Sequence, residues 1–536
     1  MANYPFNGTE SQTVAFDPAQ DRVILNLNAA DIASISEDAR GNSISIISTS
    51  GAVLTLTGVT FAALTTSNII AGLQSDIVLD YGTAGDDAGL NSLEGNVVLG
   101  LAGNDELAAS ADGSVLFGNQ GNDELDNAGF SNVRLYGGQD ADTLTLDFAA
   151  AADSANDSSL LVGGLGLDEI TVGTAFAYSG DVTVYGGNES NDPTDGADTI
   201  TAALSNTGTA LIYGNGGSDE ITVTGLGSAT IFGGQGDDTV AFTGNSASIV
   251  GGLGEDEITV TTAGDDAAVT VYGGNGNNDR LDGADVINVG LTADGDSAVI
   301  YGNAGEDVIT VTGLGNATVF GGADDDQITF TGNSASIVGG LGGDTLTVTT
   351  AGSDATVTVV GGNGTTDAAD GDDIISVTLT TADDTAVVYG NGGDDEITID
   401  GLGLATVFGG QGNDTLIINS SLNHVLTGGA GDDTFDFSGA ADTTAADEIV
   451  SITDFTFGED TIVFDAAAAV TSVVQTTLAT GDFAAITGAA SATAGAVTLV
   501  TVSSGDLAGT YAVYDDQVVE VTGFTGTISA DSFSVA

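Results

Sequence analysis

The 536-residue chain carries 77 acidic side chains against 4 basic ones, all arginine, for a formal net charge of -73, and it has no cysteine. Such a chain is a poor partner for nucleic acid or anionic membrane, and it can form neither disulfides nor thiolate metal centres. With His424 its only histidine and no lysine, His–Cys dyads, lysine bases and histidine-rich metal sites are also unavailable, so an enzyme is not expected.

A hydrophobic fraction of 41% argues against the disorder that this charge would otherwise suggest. The carboxylates must therefore crowd together in a folded chain. Bound divalent cations answer that conflict, because calcium prefers oxygen ligands. The alternative is a solvated acidic surface of the halophile kind. Met1 to Asp21 has neither a basic region nor an apolar run, so no Sec-type leader is expected, and no apolar stretch is long enough for a membrane span.

Residues 1–94 lack any regular turn and read as a β-rich cap or assembly region. Arg22-Val23-Ile24-Leu25-Asn26-Leu27 is a predicted strand, and Ser43 to Ile47 and Ala52 to Leu56 a predicted hairpin. A short helical turn is expected from Phe61 to Thr66. Such a cap would cover the unpaired backbone at the end of a stack of coils.

From residue 95 to 433 the turn Gly-Gly-x-Gly-x-Asp recurs, each time followed by a short aliphatic strand. Gly233-Gly234-Gln235-Gly236-Asp237-Asp238 is one copy; others begin at Gly251, Gly409 and Gly428. From Tyr185 on, the residues before the first glycine are spaced 28, 19, 18, 22, 29, 19, 18, 22, 29, 19 and 19 apart. Gly225-Leu226-Gly227 returns at Gly313 and Gly401, so an 88-residue superrepeat of four coils overlies the coil period. The strand period of two turns Val240 inward, along with Ile231, Ile249, Ile300, Val319 and Val407. Tyr213, Phe232, Tyr272, Tyr301, Phe320, Tyr389 and Phe408 then face outward in a ladder.

Once per superrepeat the turn is lengthened. Gly186-Gly187-Asn188 reaches its motif-like Asp198 only after an insertion, and Gly273 and Gly361 reach Asp285 and Asp373 in the same way. The aligned residue and the Asp are 13 apart there, against 6 in ordinary turns. The opposite turns, such as Thr224-Gly225-Leu226-Gly227-Ser228, have no Asp at the matching place, so an uncharged edge is expected across from an acidic one.

The Gly-Gly-x-Gly-x-Asp-x-aliphatic pattern resembles the RTX (repeats-in-toxin) family, whose nonapeptides form a parallel β-roll. The resemblance implies an all-β parallel β-roll or β-solenoid of about sixteen coils, with Ca2+ held between turns of successive coils. Carried over by position, the carboxylate ligands are Asp105, Asp123, Asp142, Asp168, Asp219, Asp238, Asp256, Asp307, Asp326, Asp344, Asp395, Asp414 and Asp433. Main-chain carbonyls of turns such as those at Gly233, Gly251, Gly409 and Gly428 complete the sites, and Asp198, Asp285 and Asp373 extend the set into the lengthened turns. The competing reading of any one Asp is an Asx-type bond to its own turn.

Residues 434–536 read as a β-rich C-terminal cap, and Asp447 to Ile462 looks like the segment that closes RTX arrays. In that family the C-terminus carries a type I secretion signal. The composition resembles RTX-type surface-layer proteins, which implies a secreted, calcium-binding structural protein that self-assembles on or outside the cell. Its partners would be further copies of itself, through lateral or end-to-end contacts, and cell-surface polysaccharide. The alternatives are an adhesin or matrix-binding module and, on the strength of outward pairs such as Thr222 and Thr224, an ice-binding face.

Overall fold

The structure is a computed structural model. It describes residues 2–535 except 26–31, 38–42, 49, 61–62, 64–68, 72–78, 84, 91–96, 150–155, 175, 189–194, 276–281, 364–369, 421, 466–468, 481, 490–494, 516 and 527. Two compact units divide the chain, residues 1–270 and 271–536. Both are built almost wholly of strands stacked as the parallel coils of a β-solenoid, about 20 turns in all.

One coil is two strands and two turns. Ser228–Gln235 runs into the glycine turn, Thr239–Gly244 leaves it, and a tight turn at Asn245 starts the next coil at Ser246–Leu253. Strands before the glycine turn pair in parallel with one another, and strands after it do the same. The registers put like on like: Ile231 opposite Ile249, and Ile221 opposite Val240 opposite Ile258. In the second unit Ile300, Val319 and Ile337 line up similarly. All of these side chains are fully buried. Each contributes roughly 1.5–3 kcal/mol on leaving water, so a core only two sheets thick gains its stability by repetition.

The outward aromatic positions form stacked ladders. Tyr213 lies 4.9 Å from both Tyr185 and Phe232, and Tyr301 lies 4.8 Å from Tyr272 and 5.0 Å from Phe320, with rings nearly parallel. Within each ladder the neighbouring ring faces cover one another.

The second position of the glycine turn is left-handed, with φ of 129° at Gly234 and 133° at Gly252. A Cβ at Gly234 would also strike the carbonyl oxygen of Asn215 in the coil before. Two turns lack the third glycine and place Asp140 and Asp324 in the left-handed region instead, at φ 74° and 79°.

The predicted N-terminal hairpin is present as antiparallel Ser43–Ser48 and Val53–Thr57, and Arg22–Leu25 pairs in parallel with Asn3–Phe6. The helical turn expected at 61–66 lies, apart from residue 63, outside the described residues, as do Asn26 and Leu27. Phe6, Leu25, Ile46 and Leu54 form one continuous core with Val97, Leu99, Val115 and Phe117 of the first coils.

The stack exceeds the sixteen coils counted from the motif. Leu79–Tyr81 already pairs in parallel with the strand at Val97, and Thr461–Phe464 adds to Thr434–Asp436 and carries Phe533–Val535 in turn. These end coils keep the alternating strand but not the glycine spacing, so counting the motif misses them. Beyond them Ala496–Val502, Gly509–Tyr514 and Gln517–Val521 form an antiparallel meander, packed with the short helix Phe483–Gly488.

Candidate metal centre

In each unit the Asp residues predicted as ligands fall in a buried column on the glycine-turn edge. Asp105, Asp123, Asp142, Asp168, Asp198, Asp219, Asp238 and Asp256 in the first unit are at most 3% exposed. So are Asp285, Asp307, Asp326, Asp344, Asp373, Asp395, Asp414 and Asp433 in the second. The lengthened turns do not interrupt it: the Asp168 N–H donates to Asp198 Oδ1, and the Asp198 N–H to Asp219 Oδ1, both at 2.8 Å.

The same bond recurs from coil to coil within each unit. The Asp219 N–H donates to Asp238 Oδ1 and the Asp238 N–H to Asp256 Oδ1, each at 2.8 Å; Asp326 and Asp344 repeat it in the second unit. An Asx-type bond to the Asp's own turn is therefore not what the structure has. Within each unit the carboxylates instead tie one coil to the one before.

That bond uses Oδ1 only. Oδ2 of Asp123, Asp142, Asp168, Asp198, Asp219, Asp238, Asp307, Asp326, Asp344, Asp373, Asp395 and Asp414 is buried and accepts no hydrogen bond. Its surroundings are acceptors as well. A Cβ on Gly233 would collide both with Asp238 Oδ2 and with the carbonyl oxygen of Gly251 in the next coil. The same pair of oxygens converges at Gly214 with Asp219 and Gly233, at Gly390 with Asp395 and Gly409, and at Gly409 with Asp414 and Gly428. A carboxylate oxygen facing a carbonyl oxygen away from water is unfavourable unless a proton or a cation lies between them. The cradle left by the missing Cβ offers that place.

Burial pushes these carboxyls up, and neighbouring carboxylates add to the effect. Asp142, Asp198 and Asp326 rise to about 9, Asp123, Asp238 and Asp373 to about 8, and Asp344 and Asp395 to about 6. Among the described residues no three His, Cys, Asp or Glu side chains gather into a metal-binding group. A cation here would be held by one Asp per coil with main-chain oxygens supplying the rest. Those donors are all hard oxygens, the kind that suit calcium.

No protein-family model and no curated protein matches the chain.

The column extends one step past each predicted end. The Asp87 N–H donates to Asp105 Oδ1 at 2.9 Å, and the Asp433 N–H to Asp460 Oδ1 at 3.0 Å. Asp460 also accepts the Thr456 N–H on Oδ2, so hydrogen bonds engage both its oxygens. A second ladder, also missed, uses the fifth turn residue. The Asn122 N–H donates to Asn104 Oδ1 at 3.0 Å, the Glu255 N–H to Asp237 Oδ1 at 3.0 Å, and the Asn413 N–H to Asp394 Oδ1 at 2.7 Å. The frequent Asn or Asp at that position was the available signal.

The opposite edge is not uncharged, which corrects the expectation. Asp157, Asp296 and Asp384 are buried there. Their chemistry differs from that of the column. Asp384 accepts Thr350 Oγ1–H at 2.6 Å, Thr381 Oγ1–H at 2.8 Å and the N–H groups of Thr381 at 2.9 Å and Ala355 at 3.1 Å. Burial alone would raise its carboxyl, but these donors outweigh it and hold the group below the usual range. Asp157 likewise accepts Tyr178 Oη–H at 2.9 Å and Ser159 Oγ–H. With donors already on both oxygens, Asp384 has little left to offer a cation. His424 serves the same edge: fully buried, it accepts the Ala405 N–H on Nδ1 at 3.0 Å and bonds Ser420 through Nε2 at 2.7 Å. Burial lowers it to about 4, so it is neutral.

Proposed function

We propose that the chain is a calcium-stabilised extracellular structural protein of the RTX kind, which self-assembles into a surface layer, sheet or filament after export by a C-terminal type I route. The observation that carries the calcium part is the column of buried, unbonded Asp Oδ2 atoms, each facing a glycine carbonyl one coil away. A solvated acidic surface of the halophile kind would leave these carboxylates in water, and they are not. Main-chain carbonyls supply the further oxygens that calcium needs, about six to eight in all. Asp Oδ2 becomes an ionised ligand when the metal enters, so binding and folding are coupled.

Assembly is supported by features that recur with the superrepeat. Leu226, Leu314 and Leu402 are 51%, 48% and 61% exposed at the tips of equivalent turns on the edge away from the column. Apolar tips at a fixed sequence interval suit contact with a partner of the same interval, and a second copy is one. Cell-surface polysaccharide is the expected anchor. Electron microscopy of the purified protein titrated with Ca2+ is expected to show ordered arrays that disperse in chelator. Calcium-loaded protein that stays as single particles at every concentration would favour the adhesin or matrix-binding module instead.

A further inference from the structure

The lengthened turns carry a carboxylate at a position where ordinary turns have none. Three residues before the column Asp stand Asp195, Asp282 and Asp370. Each folds back into its own turn: a Cβ on the second glycine, Gly187, Gly274 or Gly362, would collide with its carboxylate. The column members beside them, Asp198 and Asp373, are each 1% exposed, and their Oδ2 atoms accept no hydrogen bond. Oδ2 of Asp219, Asp307 and Asp395, the next members along, is equally unbonded. The two carboxylates of one turn lie against adjacent glycines: a Cβ on Gly186 would meet Asp198 Oδ2 and one on Gly187 the carboxylate of Asp195, and Gly361 and Gly362 stand in the same relation to Asp373 and Asp370.

The coil that follows each lengthened turn is adapted to it. Asn215, Asn303 and Asn391 replace the second glycine and hold its left-handed backbone, at φ 82°, 86° and 82°. Their Nδ2 groups donate back into the lengthened turn, to the carbonyl of Asn188 at 3.3 Å, Gly274 at 3.3 Å and Gly362 at 2.9 Å. The amide ties the two turns to each other.

We infer that each lengthened turn is a divalent-cation site of its own class, held by two carboxylates of one turn (Asp195 with Asp198, Asp282 with Asp285, Asp370 with Asp373), and that these three sites bind more tightly than the single-carboxylate sites between ordinary turns. Affinity of oxygen sites for calcium rises with the number of charged ligands, and that number is greater here. This rests on the calcium reading of the column and adds a hierarchy to it. Spaced one per superrepeat, the tight sites order their own coils first and leave the ordinary turns to fill afterwards.

The test is calorimetric titration of the metal-free full chain with Ca2+, repeated by Tb3+ luminescence, for wild type and the triple variant D195N/D282N/D370N. Wild type is expected to show a tight class of three ions followed by a weaker, larger class. The variant is expected to keep the weaker class and to lose the tight one, with affinity at those positions falling by about tenfold or more. A single class in wild type, or a tight class unchanged in the variant, overturns the inference and leaves the calcium reading standing. No calcium uptake at all overturns both.

Discussion

Stripped of divalent ions at about pH 7.5, the chain is expected to lose most of its far-ultraviolet β signal, and to regain it on acidification below about pH 4 with no metal added. The column sets the sign. Burial raises the folded-state carboxyls of Asp123, Asp142, Asp238 and Asp326 to about 8 or 9, above the unfolded value near 3.8. For such groups the stabilising contribution is complete below the unfolded pKa and is lost as pH rises through the folded one. At neutral pH a metal-free column must stay protonated at a cost or ionise without water, and each position costs on the order of 3–5 kcal/mol. A folded domain has only about 5–15 kcal/mol of margin, so a few positions are enough to unfold it. His424 works the other way. Lowered to about 4, its contribution is present above its ordinary value of 6.5 and fades as pH falls, but it is one group against a column of carboxyls. Circular dichroism in EDTA across this pH range checks the prediction, and a β signal at about pH 7.5 that is indifferent to chelator would count against it.

Replacing column aspartates by asparagine is expected to stabilise the metal-free protein while removing its need for calcium. In D307N/D326N/D344N each Oδ1 still accepts the N–H of the preceding coil, as Asp326 does from Asp307 at 2.9 Å and Asp344 from Asp326 at 2.8 Å. The new Nδ2–H2 takes the place of Oδ2 and points at the carbonyls of Gly321, Gly339 and Gly361, where the carboxylate had met only an acceptor. One repulsive contact becomes a hydrogen bond at each position. The gain in chelator should be several kcal/mol over the three, seen as a higher urea midpoint. The same variant should bind about three fewer ions and gain less from saturating calcium. Alanine at these positions removes Oδ1 as well and should weaken both states, because it leaves the Asp285, Asp307 and Asp326 N–H groups unbonded. An asparagine variant less stable than wild type in EDTA would show that Oδ2 is not the source of the metal dependence.

The glycine turn and its Asp were legible because both follow from local chemistry. A left-handed second residue selects glycine, as at Gly234 and Gly252, and the sixth residue falls at a fixed offset. The inward Val and Ile followed from the two-residue strand period. What escaped was whatever depends on the coil next door. The bond from Asp219 N–H to Asp238 Oδ1 joins residues 19 apart and exists only when coils stack in register. Asp87 and Asp460 belong to the column by that geometry, but the turns around them, Gly82-Thr83-Ala84-Gly85 and Gly458-Glu459, have lost the glycine pattern. The opposite edge was read from its Gly-Leu-Gly turns, and that reading passed over Asp157, Asp296, Asp384 and His424, where longer turns supply donors or acceptors of their own.

The most direct measurement is a crystal structure of the protein grown in Ca2+, with anomalous data to place the metal. The prediction is a file of calcium peaks along the glycine-turn edge, each about 2.3–2.6 Å from an Asp Oδ2 and a glycine carbonyl of the adjoining coil, with no peak at Asp157, Asp296 or Asp384. Oδ2 atoms bonded directly to those carbonyls as protonated acids, with no metal between them, would contradict it, as would calcium shared evenly by the two edges.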